Sequence, residues 1–177
     1  KTSHPKDIQK ETILALSSGE KLSHFLHVPA QAGSDRILKL MNRGYTAREY
    51  LNKVDMIRTI IPDAGLSGDI MVGFPTETEE DFADTLRLVQ NARYDNLYTF
   101  IYSRRNGTPA AAMEGQVPIS DKKHRIRELI AAQAIVAEKQ AAQAVGKQFE
   151  VLCSEYRDGK LIGETACGKA VVFDGKA

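Results

Sequence analysis

The chain is predicted to be an α/β protein built on a parallel sheet, and three observations predict it. Strand-like segments at residues 22–28, 66–72 and 97–102 recur every 30–45 residues. Between them the apolar residues recur at helical spacing. The segment GDIMV is apolar apart from Asp69, as strands covered on both faces are. Strand–helix–strand alternation is the mark of a parallel sheet, open or barrel-like. In such folds ligands sit beyond the carboxyl ends of the strands, so the turns after them are where function is sought.

Residues 5–18 are predicted to form the first helix, with Pro5 at its opening position and Gly19 at its end. LSHFLHV (22–28) follows as a strand, then a Gly-Ser turn and a short apolar stretch through Met41. Thr46 to Glu49 fits a capping box. Tyr50, Leu51, Val54, Ile57 and Ile61 continue at helical spacing until Pro62 stops the run. After the strand at 66–72, Thr78 to Asp81 opens a helix with Phe82, Leu86 and Val89 on one face. LYTFIY (97–102) is the third strand, rich in aromatic and β-branched residues.

The character then changes. Residues 103–118 read as a loop with two glycines and two prolines. Ser120 is predicted to cap a long helix running to about residue 145, with Ile126, Leu129, Ile130, Gln133 and Val136 on one side and Gly146 after its end. FEVLCSE, KLIGETA and KAVVF then read as short strands, with Asp158-Gly159 as a hairpin turn. Three strands are too few to close a barrel unaided. The predicted division is therefore 1–118, 119–145 and 146–177.

The 177 residues are 42% hydrophobic and 27% charged, which suits a folded core and argues against disorder. A net charge of +1 makes no global demand for nucleic acid. Two cysteines, Cys153 and Cys167, are too few for a disulfide scaffold and cannot complete a four-ligand zinc site. No apolar run approaches the roughly 20 residues that span a bilayer. The expected setting is cytoplasmic. The chain starts at Lys1 in what reads as mid-sequence, and it is expected to be part of a longer protein.

Three turns carry the candidate chemistry. In HVPAQAGS (27–34), Gln31 offers donors and an acceptor at a strand end, suited to a ribose or a carboxylate. A backbone-capping amide is the simpler reading for it, and His27 reads as a structural histidine. In GFPTE (73–77), Gly73 permits close backbone approach, Pro75 stiffens the turn, and a helix start stands nearby. In SRRNGTP (103–109), one arginine of the pair could grip an anion in bidentate fashion. The basic runs at 36–48 and 122–127 read as solvated faces. No Ser-His-Asp set, cysteine cluster or catalytic carboxylate pair can be assigned, so the residues alone stop at part of an α/β enzyme with a ligand site at the strand ends.

As an ordered set, TSHPKD (2–7), HVPAQAGSDRILKLMNRGYTAREY (27–50), DIMVGFPTETEEDF (69–82), FIYSRRNGTPAA (100–111) and VGKQFEV (145–151) resemble the MiaB-type tRNA methylthiotransferases, a radical S-adenosylmethionine (SAM) family. The resemblance runs along essentially the whole chain. It implies residues 1–118 as the C-terminal part of a radical SAM barrel, a connecting helix, and a truncated TRAM domain at 146–177. It implies SAM and two [4Fe-4S] clusters in the complete protein, with none held by this chain, and tRNA as partner. The implied reaction adds a methylthio group at C2 of an N6-modified adenosine beside the anticodon. This chain alone is expected to be inactive, with no catalytic or metal-ligating residue of its own. Gln31 and Ser34 would line the SAM pocket, Gly73, Phe74 and Pro75 would shape its wall, and Arg104 would face the SAM carboxylate or the tRNA.

Three departures from the family pattern bear on these contacts. Ala32 stands where QSGS has serine. SRRNGTPA lacks the proline of SPREGTPA. Thr76 replaces the glycine of GFPGET, and the turn must differ if that position needs a positive φ. Alternatives are a sister enzyme acting on threonylcarbamoyl-adenosine or a ribosomal protein, and a non-catalytic RNA-binding or dimerisation module. An unrelated phosphate-binding enzyme would hold an oxyanion at the Thr76–Glu80 helix start. A partial barrel also has an open strand edge, where self-association is expected.

Overall fold

The computed structural model describes residues 4–19 and 21–176, so Thr2 and Ser3 of the first motif lie outside the described residues. Three parallel strands form the first sheet in the order β1 (Phe25–His27), β2 (Gly65–Val72), β3 (Asn96–Ile101). Phe25 is in register with Gly65, and Ser67 with Asn96. A second, antiparallel sheet holds β4 (Val151–Arg157), β5 (Lys160–Thr165) and β6 (Ala170–Asp174). No closed barrel forms among the described residues.

The first sheet is covered on one face only. The helices α1 (Lys10–Ser18), α3 (Ala47–Ile60), α4 (Glu79–Ala92) and α6 (Ile119–Ala142) bury Ile13, Val54, Ile57, Val89 and Leu129 with Leu66, Ile70 and Val72 of β2. The buried hydroxyls of Tyr50 and Tyr94 meet at 2.6 Å, and Tyr50 also donates to the Val28 carbonyl. Alternate residues point the other way, where no helix lies among the described residues. There Tyr98 and Phe100 are about half exposed.

The predicted capping box at Thr46 forms, and a second forms at the predicted helix start at Thr78. Thr46 Oγ1 accepts from the Glu49 amide while Glu49 accepts from Thr46, and Thr78 and Asp81 reciprocate in the same way. Elsewhere tertiary contacts override local signals. Pro5 opens only a 3₁₀ turn (Pro5–Asp7), and α1 begins at Lys10. The break follows from Ile8, which turns into the core and gives its carbonyl to Lys53 Nζ at 2.6 Å. The first strand is shorter than predicted because the His24 amide bonds Ala166 O in the β5–β6 turn. The stretch to Met41 contains a short helix, α2 (Asp35–Leu40), and residues 103–118 contain another, α5 (Pro109–Ala112), capped by Thr108.

In α6 the cap is Pro118, and Ser120 lies in the first turn with its hydroxyl donating to Asp121. The buried stripe is Lys122, Arg125, Leu129, Gln133 and Val136, with Ile130 left exposed. Two cations enter this stripe because partners await them across the interface, which apolar periodicity cannot show. The helix stops at Ala142, and Gly146 takes a left-handed φ in the turn that follows. Asp158 and Gly159 both have positive φ, as a two-residue hairpin of the predicted kind requires.

Candidate functional site

The three strand ends converge on one cleft of about 540 Å³, lined among others by Gln31, Met71, Phe74, Phe100, Tyr102 and Arg105. After β1, Pro29 interrupts the ladder and Gln31 adopts a left-handed φ of 74°. Its amide donates to Asp69 O at 2.7 Å and its carbonyl accepts from the Met71 amide at 2.9 Å. A non-glycine residue in this region costs on the order of 1–2 kcal/mol, so the backbone of β2 holds Gln31 in place. Its side-chain amide has no protein partner among the described residues and is free for a ligand.

The loop beyond Gln31 is fastened to α4. A Cβ on Gly33 would lie 2.4 Å from Thr85 Cα, so only glycine fits, and the Gly33 amide donates to Thr85 Oγ1 at 3.0 Å. Ser34 is 3% exposed, and its hydroxyl donates to Asp81 Oδ1 at 2.5 Å. Ser34 therefore faces the loop's support rather than the cleft. Arg36 pairs with the same carboxylate and also donates to Thr76 O. Burial pushes the Asp81 carboxyl up, but hydrogen bonds from Arg36, Ser34 and Thr78 outweigh it and hold it far below the usual range.

After β2, Gly73 has φ 73°, and a Cβ there would lie 2.3 Å from Lys122 Cγ. Its amide donates to Glu77 Oε2 at 2.6 Å. Phe74 packs edge-on against Tyr102 at 5.3 Å and lines the cleft; Gly73 and Pro75 are buried behind it. Thr76 keeps a φ of 67°, so the turn does not change to suit threonine. Arg36 and the Thr76 N–H bond to Gly115 O stabilise it from both sides.

The carboxylate of Glu77 is the anchor of this turn. Arg125 Nη1 donates to Glu77 Oε2 at 2.8 Å and to its backbone carbonyl at 3.1 Å, with both side chains at most 5% exposed. Burial pushes the Glu77 carboxyl up, opposed by the Gly73 amide and by Arg125. The start of α4 is capped by Thr78 and Asp81 and carries Glu79 and Glu80, whose negative charge disfavours an oxyanion there.

After β3, Tyr102 is buried, with Lys122 Nζ on its carbonyl at 3.0 Å and over its ring at 5.0 Å. Burial lowers the Lys122 pKa. The Tyr102 hydroxyl has no hydrogen-bond partner among the described residues. Of the arginine pair, Arg104 donates Nε and Nη2 to Ala111 O, stapling its own loop. Arg105 lines the cleft, with no side-chain partner among the described residues. The resemblance puts Arg104 at the ligand; the structure places Arg105 on the cleft and Arg104 in contact with its own loop.

Arg43 completes the rim opposite Arg105, held by Tyr45 and Pro29 O. Neither it nor the cleft aromatics Phe100 and Tyr102 stand out in the sequence, where they read as a surface cation and as strand residues. On the open face of the sheet, His27 Nδ1 meets Ser67 Oγ at 2.9 Å and Nε2 lies 3.4 Å from Asp69. Among the described residues no group of three or more His, Cys, Asp or Glu could hold a metal ion, and no helix is long and apolar enough to cross a membrane.

The fold is similar to that of a known class. Residues 4–89 match the Radical SAM superfamily, and the fold resembles coproporphyrinogen III oxidase (HemN) from Escherichia coli. That likeness has a TM-score of 0.63 at 22% identity, over 76% of this chain and 31% of that one. The chain's curated relatives carry the name that the ordered motifs point to. It is 49% identical to the tRNA-2-methylthio-N(6)-dimethylallyladenosine synthase of Acetivibrio thermocellus and 47% identical to that of Carboxydothermus hydrogenoformans, over 99% and 98% of its length. The Aquifex aeolicus enzyme of the same name is 43% identical over 98%. The chain spans 37–40% of the length of these relatives.

Proposed function

We propose that the chain forms part of a tRNA methylthiotransferase that modifies C2 of an N6-modified adenosine next to the anticodon, and that its cleft holds SAM. The observation that carries the reading is the meeting of three strand-end turns at a cleft whose Gln31 amide and Arg105 guanidinium have no protein partner among the described residues. An aromatic wall with a few unspent polar groups suits an adenosyl group. When bound, SAM supplies a methyl group and the precursor of a 5′-deoxyadenosyl radical.

The chain's own residues bind and orient. Gln31 hydrogen-bonds a ribose hydroxyl or the carboxylate. Phe74 and Tyr102 form the wall, and Arg105 takes an anionic group of SAM or tRNA. Gly73 and Pro75 set the wall from behind, Ser34 fixes the Gln31 loop through Asp81, and Arg104 holds the loop that presents Arg105. The described residues supply no set of ligands for an iron–sulfur cluster, so no step is assigned to one here.

The test is nucleoside profiling. In a strain lacking the parent gene, the wild-type gene should restore the 2-methylthio group on N6-modified adenosine, and a Gln31→Ala gene should restore much less. Restoration of a methylthio group on threonylcarbamoyl-adenosine or on a ribosomal protein instead would assign the sister activity.

A further inference from the structure

A second cavity, of about 150 Å³, opens at the other end of the strands, between the ends of α3, α4 and α6 and the β5–β6 turn. Its charged lining is Arg58, Arg93, Lys147 and Lys169 with Asp63 and Asp95. Lys169 Nζ and Asp95 Oδ1 pair at 2.6 Å, and Asp63 stands 3.5 Å from His24. Arg58, Arg93 and Lys147 have no carboxylate at ion-pair distance among the described residues.

Arg58 decides what the cavity is for. Its Nη2 donates to the Arg93 carbonyl at 2.7 Å, but its Nη1 is buried with no hydrogen-bond partner. A buried, charged N–H without an acceptor is costly and rare. Burial first, then the neighbouring Arg93 charge, pulls the Arg58 pKa down, and the more distant Asp95 and Asp55 offset this only in part. The carboxyl ends of three helices draw cations to this place through their partial negative charge, yet their carbonyls meet only one Arg58 nitrogen. The absent partner is an acceptor with negative charge. The cavity has room for a tetrahedral anion and a few waters, at about 30 Å³ of liquid volume per water. A guanidinium fork matches phosphate oxygens, and the exposed Arg93 and Lys147 stand at the mouth to admit one.

We propose that the cavity formed by Arg58, Arg93 and Lys147 at the amino ends of the strands is a binding site for a phosphate group. An RNA backbone and a small phosphorylated molecule both carry this chemistry.

The test is titration of the 177-residue chain with inorganic phosphate, following the Arg58 side-chain Nε–Hε signal by NMR, with sodium chloride at matched ionic strength as control. A saturable shift with phosphate is expected, and it should weaken at least tenfold in the Arg93→Gln/Lys147→Gln variant. Both substitutions are on exposed residues, and folding is checked by the rest of the spectrum. No saturable shift, an equal shift with chloride, or an unchanged response in the variant overturns the proposal. The source is read from tRNA binding at several salt concentrations. A fall of about 2 in the salt slope of the double variant identifies the RNA backbone. An unchanged slope, with the phosphate response saturable in the wild type and weakened in the variant, identifies a small phosphorylated ligand. Neither readout involves the SAM cleft, so a failure of the methylthiotransferase reading leaves this result standing.

Discussion

Replacing Arg125 by methionine should destabilise the chain by about 3–5 kcal/mol at neutral pH, the usual cost of leaving one member of a buried ion pair alone. Arg125 and Glu77 are 5% and 1% exposed, so solvent does little to screen them. After the change Glu77 keeps one hydrogen bond, from the Gly73 amide, and its Oε1 already has no partner. The double variant Arg125→Met/Glu77→Gln keeps the bond to Gly73 and removes the orphaned charge. It should lose only about 1–2 kcal/mol, recovering roughly 2–3 kcal/mol of the single variant's loss. The sign of the pH dependence follows from the raised Glu77 pKa. The native state holds that proton more tightly than the unfolded chain, so stability is fullest below the ordinary value of 4.5 and is lost as pH rises through the folded pKa. Removing Arg125 raises that pKa further, so the single variant's deficit should shrink as pH falls from 7 towards 4. Urea denaturation at several pH values measures all of this. In a thermal melt the neutral-pH loss corresponds to roughly 10 °C. A single-variant cost below about 1 kcal/mol, equal at every pH, would show that the pair does not hold the strand-end turn.

Gly33→Ala should cost about 1–3 kcal/mol, because its Cβ meets backbone atoms of α4 rather than a movable side chain; an unchanged urea midpoint would contradict this. Asp81 has a lowered folded pKa, so its contribution is present above the ordinary value of 3.8 and is lost as pH falls through the folded value. Asp81→Asn should therefore flatten the acid limb of the stability curve, and an identical limb would refute the role. In the parent enzyme Arg105→Gln should weaken SAM or tRNA binding about tenfold, the loss of one charge-assisted hydrogen bond. Arg104→Gln should leave intrinsic affinity nearer wild type while speeding proteolysis in 103–112; the opposite ranking of the two variants would restore Arg104 to the cleft. Sedimentation should show mass rising with concentration as open strand edges meet, and a monomer at every concentration would exclude that association.

The sheet was legible because its signals are local and agree with each other. An apolar β2, two capping boxes and the Asp158-Gly159 turn each specify their own geometry. What escaped the sequence depends on partners distant in the chain. Lys122 and Arg125 look like a solvated basic run until Tyr102 O and Glu77 are brought beside them. Ser34 looks like a ligand contact until Asp81 arrives from 47 residues away. Thr76 argues locally against a left-handed turn, yet the bonds from Arg36 and to Gly115 impose one. In each case the decisive energy lies in a long-range polar contact, which hydrophobic period and turn propensity do not encode.

The most direct measurement is a structure of the parent enzyme with S-adenosylhomocysteine bound. The adenosyl group should lie against Phe74 and Tyr102, with the Gln31 amide on the ribose or the carboxylate. An adenosyl group seated elsewhere, touching none of the three strand-end turns, would contradict the account.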